Sequence, residues 1–142
     1  MARLKLRAAD ADDLAILSAH VQDALVPLAD MAWLREERRF VLALNRFRWE
    51  AVAETRDGAP LHARTHSLLS IAAVRAVRRR GLDGVDPHAP LNLLGITGEG
   101  DAIDLTFAGG GIVRIEADGI ALFLEDVGED WPTRSRPSHA LD

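Results

Sequence analysis

Ala102-Ile103-Asp104-Leu105-Thr106-Phe107, the triplet Gly109-Gly110-Gly111, and Ile112-Val113-Arg114-Ile115-Glu116-Ala117 together form the stretch that decides the fold. Apolar and polar residues alternate on both sides of the triplet, which is the period of a strand with one buried face. Two such segments joined by a short glycine turn pair as an antiparallel hairpin. A phosphate loop needs a helix N-terminus after its glycines, whereas Ile112 onward continues as strand. The triplet is therefore a hairpin turn.

The same pattern extends in both directions. Leu91–Thr97 comes before, across Gly98-Glu99-Gly100-Asp101, and Ile120–Val127 comes after, across Asp118-Gly119. The last segment stays open between strand and short helix, because Ile120, Phe123, Leu124 and Val127 also suit helical spacing. Further upstream, Gly81–Pro90 is a break carrying Asp83-Gly84. Leu68–Val77 reads as an apolar strand, although its alanines and arginines also suit a helix. Residues 51–65, with Asp57-Gly58 and Pro60, have no periodicity and read as a mobile surface loop.

The N-terminal third begins with the alternation Leu4-Lys5-Leu6-Arg7, another strand. Asp10 then stands where an N-cap belongs, with Asp12 and Asp13 in the first turn, where the helix dipole favours negative charge. Leu14, Leu17, Val21 and Leu25 form one apolar stripe on a helix expected over Ala11–Val26, stopped by Pro27. Met31 and Trp33 start a hairpin whose tip is Arg35-Glu36-Glu37-Arg38. On its return strand, Phe40, Leu42 and Leu44 share one face, and Val41, Ala43, Asn45, Phe47 and Trp49 share the other. Apolar groups on both faces place this strand in the interior of the sheet. The expected fold is α+β: one N-terminal amphipathic helix packed on a mainly antiparallel, curved sheet of six to eight strands. Residues 1–127 form the single globular domain and 128–142 a polar tail.

Composition narrows the function. The 142 residues suit one domain with one core, and 48% hydrophobic with 27% charged residues are ordinary globular values. Cysteine is absent, which excludes disulfides, thiol catalysis and thiolate metal sites. The formal charge of −5 argues against nucleic acid, whose phosphates need a basic surface. No apolar run reaches membrane-spanning length and the first residues lack a signal-peptide core, so a cytoplasmic protein away from membranes is expected.

Ser18-Ala19-His20-Val21-Gln22-Asp23-Ala24, Asp30-Met31-Ala32-Trp33, Arg39-Phe40, Asn45-Arg46-Phe47-Arg48-Trp49-Glu50 and Leu124-Glu125-Asp126-Val127-Gly128 with Trp131 carry a resemblance. From about Leu4 to Trp131 the chain resembles a family of small, mostly proteobacterial proteins that form a domain of unknown function. The resemblance implies relatives and no activity.

Each candidate for chemistry has a plain structural counterpart. His20 and Asp23, three apart on the helix, could set a general base; a solvated polar pair is the plainer reading, and Ser18 points elsewhere. Gln22, Asp30, Asn45, Arg46 and Glu50, with Trp49 as a stacking face, could converge on one end of the sheet as a rim for a polar ligand or a peptide. Alternatively, Asn45 and Arg46 satisfy backbone groups and Asp30 caps a turn. His62 and His66 have zinc-like spacing without a third ligand, so no metal site is expected. Arg75, Arg78, Arg79 and Arg80 form a basic run without interleaved aromatics, which reads as a solvated, aggregation-resisting edge.

With no nucleophile, metal set or cofactor motif, the expected function is a non-enzymatic binding or scaffold module acting through protein–protein contact. Its partner would be another protein or a second copy of the chain. The alternative is a small enzyme or small-ligand sensor using His20, Asp23, Arg46 and Glu50. The candidate contact residues are His20, Gln22, Asp23, Asn45, Arg46, Trp49 and Glu50, with no cofactor.

Overall fold

The computed structural model describes residues 3–49, 62–127 and 131–133. In chain order they form β1 (Lys5–Ala8), α1 (Ala11–Val21), β2 (Ala24–Pro27), a 3-10 turn (Leu28–Asp30), β3 (Met31–Leu34) and β4 (Arg39–Phe47). Then follow β5 (His62–Ile71), β6 (Val74–Arg80), β7 (Pro90–Glu99), β8 (Ala102–Phe107), β9 (Ile112–Ala117), β10 (Leu122–Asp126) and β11 (Trp131–Thr133). The fold is α+β, and its antiparallel sheet has eleven strands rather than six to eight. The additional strands are short. β2 and β11 have four and three residues, too few for periodicity to reveal.

The helix begins as its sequence dictates: the Asp10 side chain accepts the Asp13 N–H at 2.8 Å. It ends at Val21, earlier than the apolar stripe suggests. Asp23 adopts φ 63°, a left-handed conformation that halts the helix, and its N–H donates to the Leu93 carbonyl at 2.7 Å. Leu25 therefore lies on β2, opposite Asn45 on one side and Asn92 on the other. Pro27 closes that strand rather than the helix. Leu14, Leu17 and Val21 are the buried stripe of α1, which packs on β7 and β1. Gly98 permits this contact, since a Cβ there would lie 2.9 Å from Leu14 Cδ2. Ser18 Oγ accepts the Ile96 N–H at 2.9 Å, so this hydroxyl fixes the helix to the sheet.

The ladders run β1-β10-β5-β4-β2-β7-β8-β9-β6, with β3 paired to β4 and β11 to β5. β4 is interior, between β5 and the pair β2 and β3. The glycine triplet turns the β8–β9 hairpin, with the Phe107 N–H on the Gly111 carbonyl at 2.8 Å and Gly109 and Gly110 at φ 90° and 96°. The segment read as either strand or helix is strand β10. β5 starts at His62, inside the span read as loop; 51–61 and 134–142 lie outside the described residues.

Curvature arises where β5 becomes β6. Ala73, at φ 58°, bends the chain between Ile71 and Val74. β9 and β10 bend beside it, so Ile71 pairs with Leu122 and Val74 with Ala117. The last strand of the ladder path is thus covalently continuous with the third, and the sheet folds back on itself. The core lies inside this bend and is chiefly aliphatic, with Phe40 and Phe107 as its buried rings. Leu17→Ala is expected to destabilise the protein by roughly 2–5 kcal/mol, and Ile16→Ala, at a site 56% exposed, by less than about 0.5 kcal/mol. Chemical denaturation of the two variants measures the difference.

Candidate functional site

The rim expected around Trp49 divides between the two faces of β4. Asn45 and Trp49 gather on one side, around Arg64 of β5. Arg64 Nε donates to Asn45 Oδ1 at 2.7 Å, and its Nη2 reaches the Asp23 and Asn45 carbonyls at 3.4 and 3.3 Å. Its guanidinium lies 6.0 Å from the centre of the Phe47 ring, which meets Trp49 edge-on at 4.7 Å. Trp49 Nε1 donates to the Gln22 carbonyl at 2.9 Å, pinning the end of the helix segment. Asp23 is buried, at 3% exposure. Burial lowers the Arg64 pKa, against the opposing pull of the Asp23 charge. Arg64 is the centre of this cluster and carried no signal of its own in the sequence, because its partners come from β4 and from Asp23, between α1 and β2.

His20 does not join the cluster as half of a His–Asp pair. Its Nδ1 bonds to the Ile16 carbonyl at 2.9 Å, one helical turn back. Asp30 is exposed in the 3-10 turn, and Glu50 lies outside the described residues.

Arg46 projects to the opposite, interior face and is fully enclosed. Its Nε and Nη2 donate to Asp126 Oδ1 and Oδ2, both at 2.9 Å. Ser67 Oγ, on the intervening strand β5, donates to Asp126 Oδ1 at 2.7 Å, and the Leu4 N–H donates to Oδ2 at 3.0 Å. Burial alone would raise the Asp126 pKa. The hydrogen bonds from Arg46, Ser67 and Leu4, with the guanidinium charge, outweigh it and hold the carboxyl below its usual range. This is a buried, bidentate ion pair tying β4 to β10 across β5.

A more open feature lies at the other end of the sheet. Among the described residues, β3 pairs only with β4 and β6 only with β9, so each has a free edge. The start of β6 meets the turn between β3 and β4, where the Val74 N–H donates to the Arg38 carbonyl at 2.8 Å. From there the two edges enclose a groove of about 470 Å³, lined by Trp33, Arg35 and Arg38 on one side and Val74 to Val77 on the other. Trp33 and Val77 are partly buried and pack on the core, which gives the groove an apolar floor. Further along β6, a cleft of about 220 Å³ is lined by Arg78, Arg79, Arg80, Arg114 and Ile112.

The ion pairs along this edge are uneven. Arg75 bonds to Asp101 and Asp118, and Arg38 to Asp118 at 2.6 Å. Arg78 meets Glu116 at 3.3 Å, and Arg114 grips Asp104 through two bonds of 2.8 and 2.9 Å. Asp101 and Asp104 are accordingly held below the usual carboxylate range, each first by the hydrogen bond from its arginine. Arg79 and Arg80 make no ion pair among the described residues, and both are exposed. The arginine run was visible in the sequence, and β6 is an edge strand as that run implied. The groove beside it was not, because β3 and β6 are brought together only by the folded sheet. Among the described residues, no three His, Asp or Glu side chains cluster as metal ligands, and no helix is long and apolar enough to cross a membrane.

The buried pair yields a test. Asp126 has a lowered pKa in the folded state, so its stabilisation is present above the unfolded aspartate value and is lost as pH falls through the folded one. Asp126→Asn is expected to destabilise the protein at neutral pH by roughly 3–5 kcal/mol, since it removes the carboxylate charge that the buried Arg46 guanidinium grips through two bonds. It should also flatten the acid limb of the stability–pH curve, as read from melts between neutral and acid pH.

The model of a family described as "Protein of unknown function (DUF2948)" matches residues 4–139, and the chain belongs to that family. No curated protein and no solved structure matches it.

Proposed function

Starting from membership of a family without an assigned activity, we propose that this protein is a binding module that acts through protein–protein contact at the groove between β3 and β6. One observation carries the reading: two strand edges, unpaired among the described residues, flank an open groove with an apolar floor. A free edge presents rows of unsatisfied N–H and C=O groups, and adding an extended segment is a common way for a partner to satisfy them. Apolar side chains beside the edge supply the burial such contacts need. The Arg64 side chain is less suited to this role, because it is already bonded to Asn45 and to the Asp23 carbonyl.

A partner other than a second copy of the chain is favoured. Antiparallel pairing of β6 with its own copy would set arginines against arginines, and like charges directly opposite are destabilising. A cytoplasmic setting belongs to the same proposal, in keeping with a chain free of cysteine.

The test is capture from a native lysate of the source cells with three immobilised proteins. These are the unaltered chain, Ala76→Phe, which fills the groove, and Leu68→Ser, on the outer face of β5, as a control. The expected result is a stoichiometric protein retained by the unaltered chain and by Leu68→Ser and lost by Ala76→Phe, with thermal melts confirming that all three fold. Retention by Ala76→Phe would overturn the reading.

A further inference from the structure

Two stretches of β6 differ in character along one continuous edge. Val74, Ala76 and Val77 border the groove opposite Trp33, whereas Arg78, Arg79 and Arg80 line the adjoining cleft. Building on the reading of this edge as a protein-binding site, we infer that its occupant is an extended segment, acidic at one end and apolar at the other, added as a further antiparallel strand to β6.

Three observations support this occupant. The first is hydrogen bonding: β6 is seven residues long and is the terminal strand of the ladder path, so an added strand can continue the antiparallel sheet. The second is charge. Four guanidiniums line the cleft, and only those of Arg78 and Arg114 have carboxylate partners among the described residues. Arg79 and Arg80 are left to meet the acidic groups of a ligand. Arg80 already acts at a distance, since its charge helps lower the pKa of Asp104 on β8. The third is the change of surface along the edge. An antiparallel segment whose first residues reach Arg80 has its last residues beside Val74 and Trp33, so acidic residues come first and apolar ones last. The arginines that prevent self-pairing therefore also select the partner.

The probe is a fluorescein-labelled heptapeptide of three glutamates followed by Thr-Val-Thr-Val, capped at both ends. Its binding to the full chain is followed by fluorescence anisotropy at low and moderate salt. The expected result is saturable binding that weakens with salt, and about tenfold or more in Arg79→Glu/Arg80→Glu, whose sites are exposed and compatible with folding. A version with lysines in place of the glutamates should not bind. A version N-methylated at alternate amides keeps its charge but cannot complete a ladder, and it should lose binding. Equal binding of the N-methylated peptide would show ion pairing without strand addition and overturn the inference. So would binding of the lysine peptide, or no binding of the acidic one. If a captured partner is lost on Ala76→Phe but is not displaced by the acidic peptide, the binding-module reading stands and this assignment of its occupant falls.

Discussion

Arg46 and Asp126 meet inside the sheet, on strands that are not neighbours, and much of the architecture is registered on that meeting. Two bonds of 2.9 Å join them, Ser67 closes the gap on the strand between, and the backbone of Leu4 completes the carboxylate's shell. Four stretches of chain far apart in sequence are thereby referred to one carboxylate. A buried ion pair gives little net stability, because desolvation offsets its attraction. Its value is in what it forbids. A slip of one residue in β4 or β10 would turn one charge outward and part it from the other.

The opposite end of the molecule is organised by a corner instead of a pair. Ala73 bends β5 into β6, and the matching bend of β9 into β10 keeps the two long strands in register around it. This continuity brings the far end of the ladder path back toward β3. The Val74–Arg38 hydrogen bond ties β6 to the turn between β3 and β4, and beyond it the two edges share no ladder among the described residues. The groove is the consequence of a sheet that curves round without closing among the described residues. Its apolar floor belongs to the core, while its rim carries charge that keeps the edge from pairing with itself.

Parts of this were legible in the residues. The Asp10 cap, the β3–β4 hairpin, the interior place of β4, the glycine-triplet turn and the bounds of β8 and β9 follow from local periodicity and turn chemistry. The end of the helix did not follow. Leu25 continues the helical spacing, but the left-handed Asp23 and the ladder partners Asn45 and Asn92 draw it into a strand. Arg46 illustrates the same limit. A charged residue beside aromatics suits a ligand contact or a structural bond, and nothing near it in sequence names the carboxylate, eighty residues later, that faces it.

By itself the sequence determined the α+β class, the capped helix, the hairpin series and the basic edge, because each rests on interactions within a few residues. Only the tertiary structure decided which strands are neighbours, that Arg46 is enclosed with Asp126, that Arg64 gathers Asn45 and the Asp23 carbonyl, and that β3 and β6 flank a groove. Those outcomes depend on long-range ladders and on burial. Whether a charge ends up paired inside or free at an edge is set by what the fold places opposite it, and residue spacing along the chain does not encode that.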